Sequence, residues 1–523
     1  MRSNTLRRWR SSLTFALIAL ATIAARLPFL LRADRFFNSD EAVEGLMARH
    51  VLLGEHPLFL WGQRYKGVPE VYLNAAVFRA IGSSVVALRS VTLACFVVFL
   101  CLNFGLLDRV FSRRVAWITT AFLIAGPPTL VMWTLSASAE IVMTLLAGVV
   151  LLIAIEKRRP PFLLVAAAAI GFGLWVQQYI LYYIASLVVT AAIVTPGWHR
   201  TALEMFRTRV PSWMRGLVAI LAAAALLYVF LGLIAAFTSG IDVRVAGVRI
   251  SATHPQKMWW IAGAIGAIAT TVSVGAIYRT QLIAPALLFL VGYLPAIIGR
   301  IGNKGFGAPI ARLDFATARA ALPEIFGVMM PMLLGWRDPD TGPTVLPVLA
   351  LVLVAIVVVS CWRIVSEKLV PFFHIFPLVA IAMFFASGSY IDPQTYRYLM
   401  PIYAALPVVY AIGVDRVWKI HRAAGVALLA LALLIFAAQQ MDWYVNLAPD
   451  VESQREIACL DAAGIHEVKA GYWRSYKLTF LTRERIIAAP IDGVDRYPPY
   501  SERTKDAPLL EAVLAGCQPP RSN

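Results

Sequence analysis

The chain has 523 residues, of which 59% are hydrophobic and only 15% charged, with a formal net charge of +17. Several uninterrupted apolar runs exceed about 18 residues, the length that crosses a bilayer, which excludes soluble domains for most of the chain. The positive balance does not point to nucleic acid either. Arg and Lys cluster in short loops between apolar runs, the positive-inside pattern of a multi-pass membrane protein. These loops are RRWR near the start, DRVFSRR at 108–114, EKRRP at 156–160, residues 198–215, Arg279, WRIVSEK at 362–368 and DRVWKIHR at 415–422.

The opening MRSNTLRRWR is basic, and the apolar run behind it continues to LPFLLR without a small-residue cleavage site. It reads as an uncleaved first span. Further spans are expected near 84–107, 115–135, 139–155, 161–176, 178–195, 216–237, 258–277, 281–299, 344–362, 370–388, 398–414 and 423–440, about thirteen in all. An odd count puts the N-terminus in the cytoplasm and the C-terminus outside. Each basic loop then falls on the cytoplasmic side. A multi-pass protein of the plasma (inner) membrane is the expectation.

Polar chemistry collects on the outer face, above all in the first outer loop at 32–83. This loop carries Asp40-Glu41, with Glu44 one helical turn later. Val43, Leu46, Met47, His50 and Val51 recur at helical spacing, as do Leu73, Ala76, Val77, Ala80 and Ile81. Neither pattern is long enough to cross a bilayer, so both are expected as interfacial helices, apolar face inward. Between them lies the basic, aromatic tract LFLWGQRYKGVPE. A capping account covers part of the acidic pair. Asn38 caps a helix start, Glu41 reaches back as its box partner, and early carboxylates favour the helix dipole by roughly 0.3–1 kcal/mol.

The outer face also holds the turn SASAE at 136–140, a turn at Gln177-Gln178, a loop at 238–257, and the Gly- and Ala-rich loop at 300–343. That last loop is too polar to span and is either a substrate loop or a passive connector. From Met441 the composition turns soluble. Residues 450–464 read as a helix, EVKAGYW as a strand, YKLTFLTRE as a helix and RIIAAPI as a strand. The expected organisation is a transmembrane unit at 1–440 and a small α/β unit outside the membrane at 441–523. Cys459 and Cys517 are placed to close that unit by a disulfide, worth roughly 2–4 kcal/mol in an oxidising compartment. Cys95, Cys101 and Cys361 fall in or beside spans. No cysteine or histidine spacing points to a metal, and no phosphate-binding glycine loop is present.

The outer polar set comprises Asp40, Glu41, Glu44, Glu70 and Glu140, with Arg64, Lys66, His254, Lys257, Arg312 and Arg397 as the basic groups. A transfer from a phosphorylated lipid needs a carboxylate base for the acceptor hydroxyl and cations for the departing phosphate. Arg offers a planar fork and Lys a point charge. The plain alternatives are a helix-initiating acid for Glu140 and interfacial anchoring for Tyr396 and Arg397.

Four stretches carry a family likeness: F-x-x-D-E-A-x-x-G-x-M-A at 37–48, GQRYKGVPEVYL at 62–73, YRYLMP at 396–401 and the tail GYWRSYKLTFLTRERIIAAP at 471–490. With Glu140 behind a short turn, the chain resembles the GT-C superfamily of membrane glycosyltransferases. The branch it is most similar to is that of the dolichyl-phosphate-mannose protein mannosyltransferases and bacterial aminoarabinose transferases. Where many relatives carry Lys-Pro-Pro, this chain has KGVPE. The resemblance implies an inverting transfer of a sugar from a polyprenyl-phosphate donor, without a nucleotide sugar, to a glycan, lipid or protein hydroxyl at the outer face. It implies Asp40 as catalytic base and Glu41 and Glu140 as supporting acids. Arg397 with Arg64 or Lys66 would hold the lipid phosphate, and Glu70, Arg312 and Tyr396 are further candidates on the substrate side. Some branches of the superfamily use a divalent cation; this sequence offers acids but no clear ligand set.

The competing class is a transporter or lipid-glycan flippase, which would place charges near the bilayer midplane and show internal repeats. Mid-span positions here are nearly charge-free and no repeat is evident. The fold class expected is an α-helical polytopic membrane protein with interfacial helices in its first outer loop and a small external α/β domain.

Overall fold

The computed structural model describes residues 2–517 apart from 64, 139, 158, 196, 239, 246–247, 279–280, 302–314, 335–346, 362–368 and 388–392. The chain is an α-helical polytopic membrane protein, and each stretch expected to span is largely helical. Among the described residues, seven helices are long and apolar enough to cross a membrane alone, or up to nine if each bent pair is one span. The N-terminal third runs through α1 (Arg2–Leu31), α2 (Ser39–Leu52), α3 (Pro69–Ile81), α4 (Val85–Val110), α5 (Arg113–Ile124), α6 (Pro128–Trp133) and α7 (Glu140–Lys157).

The third expected span is not continuous. Gly126, Pro127 and Pro128 interrupt it, because proline supplies no amide for the helix ladder and disfavours helical geometry before it. The carbonyls left open at the end of α5 are taken up by Arg26 from α1. Its guanidinium donates to Ile124 O at 2.5 Å and to Leu123 O at 3.1 Å. Gln440 donates to Gly126 O at 2.5 Å. A buried arginine in a span is costly unless such partners meet it. Arg26 and Arg89 are both fully buried within expected spans; Arg26 also reaches Thr134 of the 128–138 segment, and Arg89 holds Phe36 and Glu41 of the 32–83 loop.

Three further stretches differ from expectation. Where described, the 300–343 loop is helical: Phe315–Glu324 leads through Ile325–Met329 into Met330–Leu334. Ile325, Met329 and Leu333 are buried in the main core, and the Tyr403 hydroxyl donates to the Leu333 carbonyl. The 238–257 loop holds an antiparallel ribbon, Ile241–Val245 with Val248–Ala252. The last long helix, Arg422–Asn446, runs past Met441.

The main core lies within the bundle and is rich in phenylalanine, including Phe96, Phe122, Phe372 and Phe376. A second core decides where the site forms. It joins Val43, Leu46 and Met47 of α2, Val71, Ala75 and Phe78 of α3, and Tyr472, Tyr476, Phe480 and Ile487 of the tail. The tail therefore covers the apolar side of α2. Phe480 enters against Gly45, where a Cβ would collide with the ring, so only glycine admits that approach. Arg49 stacks on the same ring at 4.1 Å and donates to Phe480 O at 2.9 Å.

The tail itself is a parallel pair, Glu467–Ala470 with Ile487–Pro490, joined through the helix Tyr472–Leu481. The expected strand EVKAGYW thus stops at Ala470, and Tyr472 and Trp473 open a helix. Gly471 between them is extended, which ends the strand and starts the helix within one residue. Helices Val451–Ala462 and Leu510–Gly516 pack on the pair, and a disulfide joins Cys459 and Cys517 with Cα atoms 6.0 Å apart.

Candidate active site

Asn38 caps α2, accepting from the Glu41 amide at 3.1 Å, which fixes Asp40 at the second and Glu41 at the third helical position. The two side chains then diverge. Glu41 does not close the capping box. Its carboxylate takes Arg89 Nε at 2.9 Å and Nη2 at 2.6 Å, and the Ala137 amide at 3.0 Å. This bidentate pair, with both partners buried, ties α2 to α4 and to the turn before α7.

Asp40 keeps 27% of its side-chain surface and lines a cavity of about 650 Å³ together with Lys66, Glu140, Tyr396 and Arg397. The Tyr472 hydroxyl donates to Asp40 Oδ1 at 2.5 Å, Arg496 Nη2 stands 3.5 Å from the same oxygen, and Arg397 Nη1 stands 3.8 Å from Oδ2. Burial raises the Asp40 pKa, but Arg397, Arg496, the Tyr472 hydrogen bond and Lys66 outweigh it, leaving the carboxyl below its usual range. Asp40 is a charged acceptor with one oxygen open to the cavity.

Lys66 is buried between two acids, in contact with Glu140 and 3.4 Å from Glu44. Burial pulls its ammonium pKa down, and Glu140 and Glu44 more than restore it. Glu44 is fully buried; desolvation, with Glu70 and Glu140 nearby, lifts its pKa well above the usual range despite Lys66. Lys66 lines the cavity already neutralised. Glu70, expected on the substrate side, does not line it: at 1% exposure it accepts from Thr92 beneath α3. Tyr396 is buried and accepts from Trp133 Nε1 at 2.9 Å. Arg397 lies near the rings of Trp133 and Tyr398, and its Nε has no hydrogen-bond partner among the described residues. Arg64 and Arg312 lie outside the described residues.

Among the described residues no group of three or more His, Cys, Asp or Glu is disposed to hold a metal. The acids that come nearest, Glu44 and Glu140, already face Lys66 and do not fit a divalent ion.

A second cavity of about 510 Å³ adjoins the first. It shares Tyr65, Gln177 and Tyr398 with it and is otherwise dominated by aromatic and apolar side chains, among them Tyr179, Tyr182, Trp259, Trp260 and Met383. Gln177, expected only as a turn residue, sits where the two meet. Sequence reading also missed Tyr472, which lay in the 471–490 stretch without a role of its own, and Arg496, which lies beyond that stretch. It missed Arg89 as well, although an arginine near the start of an apolar span signals a buried partner.

Apolar helices surround a cavity roofed by the 32–83 loop and a small α/β tail, a fold similar to that of solved polytopic GT-C membrane proteins. The structure of ArnT from Cupriavidus metallidurans bound to undecaprenyl phosphate is similar over 94% of this chain and 89% of that one, with a TM-score of 0.53 at 11% identity. The apo state of the same protein gives 0.50 at 11% identity, over 96% and 90%. The Archaeoglobus fulgidus oligosaccharyltransferase complexed with Zn and sulfate gives 0.46 at 14% identity; the match covers 91% of this chain but 62% of that longer one. No family model and no curated protein sequence matches the chain.

Proposed function

We propose that this chain is an inverting glycosyltransferase that moves a sugar from a polyprenyl-phosphate donor to an acceptor hydroxyl at the outer face of the inner membrane. In this proposal residues 1–440 form the catalytic membrane unit, with the N-terminus cytoplasmic and residues 441–523 external. The observation that carries it is the state of the acids. Asp40 alone is charged, partly open and faced by an arginine across the cavity, whereas Glu41 is held by Arg89 and Glu140 by Lys66. The adjoining aromatic cavity is suited to the first isoprene units of a lipid, and ArnT, which shares the fold, is known bound to undecaprenyl phosphate.

Asp40 Oδ2 takes the proton of the acceptor hydroxyl while that oxygen attacks the anomeric carbon from the face opposite the phosphate. One carbon–oxygen bond forms, the bond to the phosphate oxygen breaks, and the electron pair leaves with the phosphate. Arg397, with its Nε unsatisfied, receives the developing charge. Lys66 and Glu140 shape the sugar pocket between them, and Glu41 keeps the helix carrying Asp40 in place.

The test is transfer by purified protein from a panel of undecaprenyl-phosphate hexoses and pentoses. Asp40→Asn keeps the shape and removes the proton acceptor, so turnover falls roughly a hundred- to ten-thousandfold at unchanged stability. Arg397→Ala weakens use of the donor, and Arg397→Lys recovers only part of it because the fork is lost. Near-wild-type turnover by Asp40→Asn removes Asp40 from the mechanism and leaves Glu140 as the next candidate.

A further inference from the structure

Asp40 is completed by residues more than four hundred positions away in sequence. Tyr472 opens the tail helix, its amide donating to Asp492 Oδ1 at 2.5 Å. Arg496 is fixed in turn by its own amide, which donates to the Tyr476 hydroxyl at 2.6 Å. From these anchors Arg496 Nε donates to the Tyr472 hydroxyl at 3.0 Å, and that hydroxyl donates to Asp40 Oδ1 at 2.5 Å. Turned toward Arg496, the Gln63 amide oxygen accepts from Nη1 at 2.6 Å and from the Tyr65 hydroxyl at 3.0 Å, which holds the guanidinium from the first outer loop as well.

The direction of this chain is forced. A guanidinium only donates, so the phenol oxygen accepts from it and its single proton goes to Asp40. Oδ1 is thereby occupied, and Oδ2, on the Arg397 side, is the oxygen left for a substrate.

We propose that Tyr472, oriented by Arg496, is a positioning residue for the reaction: the tail sets which oxygen of Asp40 accepts the proton. This rests on Asp40 being the base. Among the described residues, the charged and titratable groups facing Asp40 are Arg397 from the Pro393–Ala404 segment, Lys66 from the first outer loop, and Tyr472 and Arg496 from the tail. The external domain is then part of the active site, and donor chemistry is enabled only while the tail is docked on α2.

Full-length purified Tyr472→Phe, Arg496→Lys and Asp40→Asn proteins test this with the same undecaprenyl-phosphate sugar panel. Two readouts separate positioning from mere structure. One is the pH profile of turnover; the other is infrared titration of the carboxyl band that Asp40→Asn lacks. Losing a hydrogen bond to a charged group, Tyr472→Phe lowers kcat about ten- to a hundredfold. It leaves KM for the donor near wild type and moves both the acid limb and the Asp40 band upward by about one pH unit. Arg496→Lys, which keeps the charge and the tyrosine, falls between the two. Protease resistance of the tail confirms docking, and if Tyr472→Phe fails to fold, Arg496→Lys carries the measurement alone. An unmoved acid limb and band in a docked variant overturns the proposal while an inactive Asp40→Asn leaves Asp40 as base. Transfer by Asp40→Asn overturns the assignment of the base and this proposal with it.

Discussion

Replacing Glu41 by Gln separates the two acids of the Asp40-Glu41 pair. The Glu41 carboxylate receives two bonds from Arg89 and one from the Ala137 amide, and Arg89 also donates to Phe36 O at 3.0 Å and lies 3.8 Å over the Phe36 ring. Glutamine keeps the shape and one acceptor oxygen but leaves a fully buried guanidinium beside a neutral amide. Removing one partner of a buried ion pair costs about 3–5 kcal/mol, whereas an exposed pair is worth about 0–1 kcal/mol. The loss therefore falls on the frame joining α2, α4 and the turn before α7. Glu41→Gln is expected to lower the thermal midpoint of the detergent-solubilised protein by several degrees. Its turnover per folded molecule should change far less than that of Asp40→Asn. Adding Arg89→Met removes the stranded charge and is expected to recover much of the stability, an interaction a double-mutant cycle measures directly. Wild-type stability with abolished turnover in Glu41→Gln would refute this reasoning and make Glu41 a reacting group.

Two other outcomes follow from the docked tail. His50 of α2 contacts Glu55 at 2.7 Å, Glu484 at 2.9 Å and Tyr500 at 3.2 Å. Burial lowers its pKa, but Glu484 and Glu55 outweigh that and raise it above the ordinary 6.5. A pKa raised by folding stabilises the protein fully below the unfolded value, and that contribution is lost as pH rises through the folded value. Hydrogen-exchange protection of the tail is thus expected to fall with rising pH above 6.5 in the wild type and to stay flat in His50→Gln; parallel curves would remove His50 from the clamp. Cys459 and Cys517 should appear as one linked peptide pair in non-reducing mass mapping, and reduction should weaken the tail by roughly 2–4 kcal/mol; two freely alkylated thiols in native protein would dispose of the bond.

What the sequence disclosed was local. Apolar runs marked the helices because a bilayer imposes length and hydropathy on each one separately. Asn38 and the periodicity after it marked α2, and the helical spacing of Leu73, Ala76, Val77, Ala80 and Ile81 marked α3. The acids and Arg397 were visible as polar groups on one face. Partnerships were not visible. Nothing near Glu41 in sequence names Arg89, and nothing near Asp40 names Tyr472, because those contacts depend on which face the tail lays on α2. The boundary between EVKA and the next helix mattered for the same reason: reading Tyr472 as strand pointed its side chain by the wrong periodicity.

The acids of this site differ less in kind than in what burial has done to each. The first outer loop and the start of α7 supply Asp40, Glu41, Glu44, Glu70 and Glu140, and five like charges so close together cannot all remain ionised and free. Arg89 neutralises one, Lys66 faces two, Thr92 meets a fourth, and the fully buried Glu44 is pushed toward its neutral form. These pairings also hold the loop helices and α7 together, so they cannot be traded for catalysis without loosening the frame. Only Asp40 has its charge balanced by arginines from two separate elements while one oxygen remains free. In the proposed mechanism packing therefore selects the base, and the tail takes part through the Tyr472 and Arg496 contacts to Asp40.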